Sequence, residues 1–183
     1  MQAAAHGLST YGYGNLVLER VASEAGYTRG ALYHQFAGKE DLALAVVAWI
    51  DETWRAEVGH LLQGVNDPVT SLLAVARGHA VYCRRDVASV LMTLRIEFAG
   101  QDHPVGRAIS ANLESLTADC AGLIAAARTG GQIPPGPPPY ETARAYLSAL
   151  EGVVIELANE SPYDVELAER AVRGVLALPP SSA

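Results

Sequence analysis

The chain has 183 residues, half of them hydrophobic, with 20 Asp and Glu against 13 Lys and Arg and a formal net charge of −7. That length suffices for one large domain or two small ones sharing a core, and the acidic balance argues against a general nucleic-acid coat protein. Cys83 and Cys120 are too few for a disulfide scaffold, no run of about 18 apolar residues could cross a bilayer, and no basic stretch followed by an apolar core opens the chain. The expectation is a reduced, cytoplasmic protein with no membrane partner.

In chain order, Met1 to Tyr11 reads as a short Ala-rich helix with Ala3, Ala4 and Leu8 inward. Gly14-Asn15 reads as a turn, and Asn15 can cap a helix that starts at Leu16. Val21, Ala22 and Ala25 give that helix its apolar face, and Gly26 permits the sharp, left-handed exit that a Cβ resists. Thr28 stands where an N-cap belongs, free to accept an orphan backbone N–H. The helix it opens runs from Arg29 to about Phe36, with Leu32 and Phe36 inward. Ala37-Gly38 breaks it, and Glu40 and Asp41 suit the positive end of the next helix. Helix, tight turn and second short helix make the layout of a helix-turn-helix.

Leu42 to Leu62 predicts a long helix with Leu42, Val46, Trp49, Ile50 and Trp54 on one side, the tryptophans as core packing. Gly64 to Pro68 is a break, with Asp67 as cap and Pro68 at the first helical position. Leu72, Ala76, His79 and Cys83 follow at helical spacing, then Arg84-Arg85-Asp86 interrupts, and Val87, Leu91, Leu94 and Phe98 resume it. Gly100 to Pro104 is another break. Val105 to Arg128 carries Ile109, Leu113, Leu116, Cys120 and Leu123 on one stripe, and TGGQIPPGPPP after it is an exposed connector. Tyr140 to Glu160 and Pro162 to Leu178 are closing helices, and PPSSA is a frayed end. With no sustained β alternation and no internal repeat, the fold class is all-α.

The stretch GYTRGALYHQFAGKEDL resembles the turn and recognition helix of the tetracycline-repressor (TetR) family of bacterial one-component transcriptional regulators. Val21-Ala22, Ala25-Gly26, Tyr27-Thr28, Gly30, Leu32-Tyr33, Phe36, Lys39 and Leu42 match the family pattern in type and spacing, and Gly12-Tyr13 matches the Gly-Tyr that closes its first helix. The family's common His falls on Gln35, beside His34. The family has another turn or two, and a basic arm, before the point where this sequence starts, and usually Thr or Ser where Leu16 and Val17 stand.

The resemblance implies a helix-turn-helix DNA-binding domain over 1–45 and a ligand-binding and dimerisation domain over 46–183, joined through the helix that opens at Lys39. It implies a repressor that binds double-stranded operator DNA as a homodimer and is released when a small hydrophobic or amphipathic effector enters the body, the helix from Lys39 altering the separation of the two heads. The DNA-facing candidates are Thr28, Arg29, Gly30, Ala31, Tyr33, His34 and Lys39. Arg29 is the direct reader, since its fork fits guanine O6 and N7; Tyr33 and Lys39 match family positions that meet phosphate, which sets register.

In the middle helices, His79, Tyr82, Leu91, Met92, Arg95, Phe98, Asn112, Leu116 and Tyr146 mix polar or polarisable groups with apolar ones, as a ligand pocket requires. Leu147, Leu150, Gly152, Val153, Val154 and Leu157, with Val172 and Leu176 beyond, form stripes suited to a dimer interface, where Gly152 would let a partner helix come close. His79 and Cys83 lie one helical turn apart, but two ligands are not a metal site. No phosphate loop, nucleophile elbow or zinc-protease motif is present, so no enzyme, cofactor or metal is expected. The competing expectation is a ligand-binding or scaffolding dimer that holds DNA weakly because its first helix is short.

Overall fold

The computed structural model describes residues 1–62, 67–85, 89–158 and 160–179. Among them the helices are α1 (Gln2–Tyr11), α2 (Leu18–Glu24), α3 (Arg29–Gln35), α4 (Lys39–Glu57), α5 (Pro68–Tyr82), α6 (Ser89–Glu97), α7 (Pro104–Thr129), α8 (Pro139–Leu157) and α9 (Tyr163–Val175), with a 3₁₀ turn at Gly59–Leu62. No strand occurs among the described residues. No described helix is long and apolar enough to cross a membrane. Gly64, Asp86, Val87 and the last four residues of PPSSA lie outside the described residues.

The chain divides into two compact units, residues 1–53 with 85–112, and residues 54–84 with 113–183. The boundaries run inside α4 and α7, and so differ from the 1–45 and 46–183 division expected from the resemblance.

The first unit packs α1, α2, α3, the start of α4, α6 and the start of α7 around one core. Ala5 and Leu8 of α1, Val21 of α2, Val46 and Val47 of α4, and Leu94 of α6 are buried in it. Gly7 is there because α1 presses on the next turn: a Cβ at residue 7 would sit 2.8 Å from Leu16 Cδ1. Leu16 is therefore a core residue rather than a helix start. The helix begins at Leu18 behind Val17, with no side-chain cap. Asn15, expected to cap it, instead donates from Nδ2 to the Tyr11 carbonyl at 3.2 Å and closes α1. α2 ends as a Schellman turn: Gly26 takes φ +74°, its N–H donates to Ser23 O and the Tyr27 N–H to Ala22 O.

The second unit packs α5, the later part of α7, α8 and α9 around Leu72, Ala76, Ile124, Tyr146, Leu150 and Val172. Asp67 caps α5 by accepting the Val69 N–H at 3.1 Å, with Pro68 in the first turn. Tyr146 is fully buried, and its phenol donates to the Leu72 carbonyl at 2.6 Å. Asp164, in the first turn of α9, is fully buried and accepts from Arg84 Nε and Nη2 at 2.7 and 2.9 Å. That bidentate pair holds the Asp164 carboxyl below its usual range and pins α9 to the end of α5.

Candidate functional site

α3 is built to expose one face. Thr28 is the N-cap, its Oγ1 accepting the Ala31 N–H at 3.2 Å, so this hydroxyl is already in use. Leu32 alone on the helix is buried, and it locks α3 onto the core. Arg29, Gly30, Ala31, Tyr33 and His34 are all exposed. A Cβ at Gly30 would meet nothing nearer than Thr28 Oγ1 at 3.9 Å, so packing does not demand this glycine and the space in front of it is open.

Charge is sparse here. Residues 1–46 carry three cationic side chains, Arg20, Arg29 and Lys39, against the four carboxylates Glu19, Glu24, Glu40 and Asp41. Arg29 is folded back: its Nε lies 3.0 Å from Glu19 Oε1, and its guanidinium sits 5.2 Å over the Tyr33 ring. Both partners are well exposed, so the pair is worth at most about 1 kcal/mol and opens readily. Lys39 donates to the Gly14 carbonyl at 3.0 Å and lies 4.6 Å over the Tyr13 ring.

The nine candidate effector residues are shared out between the two units. Leu91, Met92, Arg95, Phe98 and Asn112 belong to the first unit; His79, Tyr82, Leu116 and Tyr146 belong to the second. Phe98 is buried in the first core, stacked on His103 at 4.2 Å and edge-on to Tyr13 at 5.1 Å, so its ring is a packing element. Leu94 and Ile109 share that core, whereas Leu113 and Leu116 pack with second-unit residues. Tyr146 spends its hydroxyl on Leu72.

His79, Tyr82 and Leu116 do come together, around Trp54 with Val58, Val75 and Cys83. Trp54 Nε1 donates to His79 Nδ1 at 3.0 Å, which assigns the proton to Nε2, 3.5 Å from Cys83 Sγ. Burial holds the imidazole neutral down to about pH 4. Burial, with Glu151 adding to it, pushes the Cys83 thiol up to about 12; Cys120 behaves likewise, with Asp119 as the lesser cause. Neither cysteine is poised for thiolate chemistry. Among the described residues no three His, Cys, Asp or Glu side chains are placed to hold a metal ion.

The second unit also has a shallow pocket of about 190 Å³, lined by Arg128, Ile133 to Pro137, the first turns of α8 and the last turn of α9. None of the nine candidates lines it.

On α8 and α9, Leu147, Leu150, Val172 and Leu176 are buried in the unit's own core and leave little surface for a second chain. This revises the expected contact face. The outward residues on these helices include Ala145, Ser148, Gly152 and Ile155 on α8, and Tyr163, Leu167 and Gly174 on α9, beside the exposed charges of Glu141, Arg144, Glu156, Glu166 and Arg170. Ile155 and Tyr163 are 58% and 60% exposed, and Cβ atoms at Gly152 and Gly174 would touch nothing within 4 Å. Sequence periodicity marks an apolar stripe but not which edge of it the monomer consumes. Val153, Val154 and Leu157 are half-buried at that edge.

Residues 1–46 match the family model for bacterial regulatory proteins of the tetR family. No curated protein matches the sequence. Over the whole chain, SCO4454, a TetR-family transcriptional regulator from Streptomyces coelicolor, is 24% identical with a TM-score of 0.78, over 96% of this chain and 91% of that one. The TetR-family regulator PfmR from Thermus thermophilus is 19% identical with a TM-score of 0.79, over 98% and 97%. AibR, solved with isovaleryl coenzyme A and operator DNA, is 20% identical with a TM-score of 0.76, over 97% and 96%. The head is that of the tetR family, and the chain as a whole has the fold of TetR-family transcriptional regulators.

Proposed function

We propose that this protein is a transcriptional repressor that binds operator DNA as a homodimer through α3 and releases it when a small hydrophobic or amphipathic molecule binds. The observation that carries the reading is the face of α3. Residues 29–31, 33 and 34 all point outward on a short helix that is capped, buried at Leu32 alone, and open in front of Gly30. A helix so held can enter the major groove with its N-terminal residues on base edges. The complex of AibR with operator DNA and isovaleryl coenzyme A supports both partners by analogy of fold.

Dimerisation is supported by the outward face of α8 and α9. Two glycines with open space above them, flanked by exposed Ile155, Tyr163 and Leu167, suit the close packing of a second copy. The cluster around Trp54, His79, Tyr82 and Leu116 supplies the aromatic and polarisable wall of an effector region.

A second reading has two observations in its favour. Arg29 is paired with Glu19, and the head carries more carboxylates than cations, which fits a ligand-binding dimer that holds DNA weakly. Fluorescence anisotropy with duplexes from upstream of the protein's own gene separates the two. Saturable, sequence-dependent binding with a two-fold symmetric footprint is expected; binding that is equally weak on every duplex would support the second reading.

A further inference from the structure

The Gly12-Tyr13-Gly14 turn is gripped from two directions within the first unit. Glu97, the last residue of α6, accepts the Tyr13 N–H on Oε2 and the Gly14 N–H on Oε1, each at 2.6 Å. The glycines make this approach possible. Gly12 sits at φ +72°, where a Cβ would lie 2.9 Å from Oε2, and a Cβ at Gly14 would lie 3.2 Å from Oε1. Two adjacent N–H groups converging on one carboxylate form a backbone anion nest. The far side of the turn faces α4, whose first residue, Lys39, donates to the Gly14 carbonyl and lies over the Tyr13 ring. Tyr13 is in turn wedged by Phe98 and His103, and His103 Nε2 is 3.5 Å from Glu40 Oε2.

We infer that Glu97 is a positioning residue for Lys39, acting through this turn, and that it sets the ammonium in place for a DNA phosphate; the second half of the claim rests on the DNA-binding reading above. A lysine head on a four-carbon stem is a loose partner, and ordering it before it meets an anion removes an entropic cost from binding. The Gly14 carbonyl and the Tyr13 face order it here. A Gly-Tyr-Gly turn has little stiffness of its own; Phe98 and His103 hold the Tyr13 ring and the Leu16 N–H closes on the Tyr13 carbonyl, while the two hydrogen bonds to Glu97 fix the peptides on either side of Tyr13 and with them the Gly14 carbonyl that faces α4. The order is thus relayed from the end of α6 to the start of α4 without any direct contact between Glu97 and Lys39.

Lys39 is the only lysine in the chain, which makes the claim readable at a single group. In the full-length protein without DNA, ¹³C-labelled lysine should show an upfield ring-current shift of the Lys39 εCH₂ from Tyr13. Glu97→Ala should collapse that shift and speed amide exchange at Tyr13 and Gly14; Glu97→Gln, with one acceptor oxygen left, should keep part of both. An unchanged Lys39 signal in Glu97→Ala, in protein whose other signals show it folded, overturns the positioning role whatever DNA does. Should Glu97→Ala fail to fold, Glu97→Gln decides by the same signal. With an operator duplex, Glu97→Ala and Lys39→Ala should each lower affinity and each reduce the salt slope by about 1 per head. The double variant should then bind no worse than Lys39→Ala alone. Additive losses would overturn the relay to phosphate. A parent that binds no duplex at all would defeat the DNA reading and the phosphate half of this inference, while the Lys39 shift still decides the positioning half.

Discussion

Two outward surfaces of this molecule are left unfilled, and they are unlike. The face of α3 is polar and glycine-opened, and its helix is held by a Thr cap and the buried Leu32. The exposed surface of α8 and α9 has a small, apolar part, Gly152 and Gly174 with Ile155, Tyr163 and Leu167, beside the charges of Glu141, Arg144, Glu156, Glu166 and Arg170. A surface meant for phosphates and base edges can stay exposed without harm, because water solvates it. A surface of aliphatic and aromatic carbon is a standing driving force for association. The first therefore depends on presentation of a few donors, the second on close packing. The supports differ accordingly: α3 rests on local capping, whereas α9 is tied through its buried Asp164 to the partly exposed Arg84, 80 positions away.

The largest expected effect falls on that tie. Arg84→Met leaves the fully buried Asp164 carboxylate without its partner, which should cost about 3–5 kcal/mol in urea denaturation. A loss below about 1 kcal/mol would mean that α9 does not depend on the pair. A comparison with Arg84→Met/Asp164→Leu sharpens it, since replacing both charges should restore much of the stability.

Acid should distinguish the two units next. His79 has its folded pKa lowered to about 4 from an ordinary 6.5, so the unfolded chain binds the extra proton first. Stability from this residue is complete above about pH 6.5 and is lost as pH falls toward 4, by up to about 3 kcal/mol. Tryptophan fluorescence and amide exchange followed from pH 7 to pH 4 should show the Trp54 region opening early. In His79→Gln the pH 7-to-5 slope should flatten; an unchanged slope would assign the acid sensitivity elsewhere.

Association is the third test. Gly152→Leu puts a side chain into the open space above α8, twice in a two-fold dimer. Overpacking of about 1–3 kcal/mol at such a contact should raise the dimer dissociation constant on the order of tenfold to a hundredfold by sedimentation, with the monomer's melting unaffected. Buried Leu150→Ala should do the reverse, lowering stability of the fold itself by about 2–5 kcal/mol. If Gly152→Leu dimerised like the parent, the second surface would have another purpose.

The smallest effect sits on α3. Arg29→Ala should weaken operator binding by about 1–3 kcal/mol and relax one base position, with folding stability nearly unchanged because the side chain is 68% exposed. Glu19→Gln, which frees the guanidinium, should tighten binding slightly. Equal affinity of all three proteins would show that Arg29 reads no base.

The sequence by itself determined the local events. Thr28 as cap, Gly26 as the left-handed exit of α2, and Asp67-Pro68 as the start of α5 each depend on neighbours within a few residues, so their chemistry was legible in order along the chain. The exposure of α3 followed from the same spacing. Only the tertiary structure decided which stripes meet. Phe98 read as part of an effector pocket, yet with Leu94 it is buried in one core with Leu8 and Val21. Leu150 and Val172 read as an interface and are consumed by the second unit's own core. An apolar period says that a face must be covered but carries no information about what covers it. The same holds for Glu97, a charged residue at a helix end like many others: its use as the clamp of the 12–14 turn appears only when residues 83 and 84 positions apart are brought within 2.6 Å.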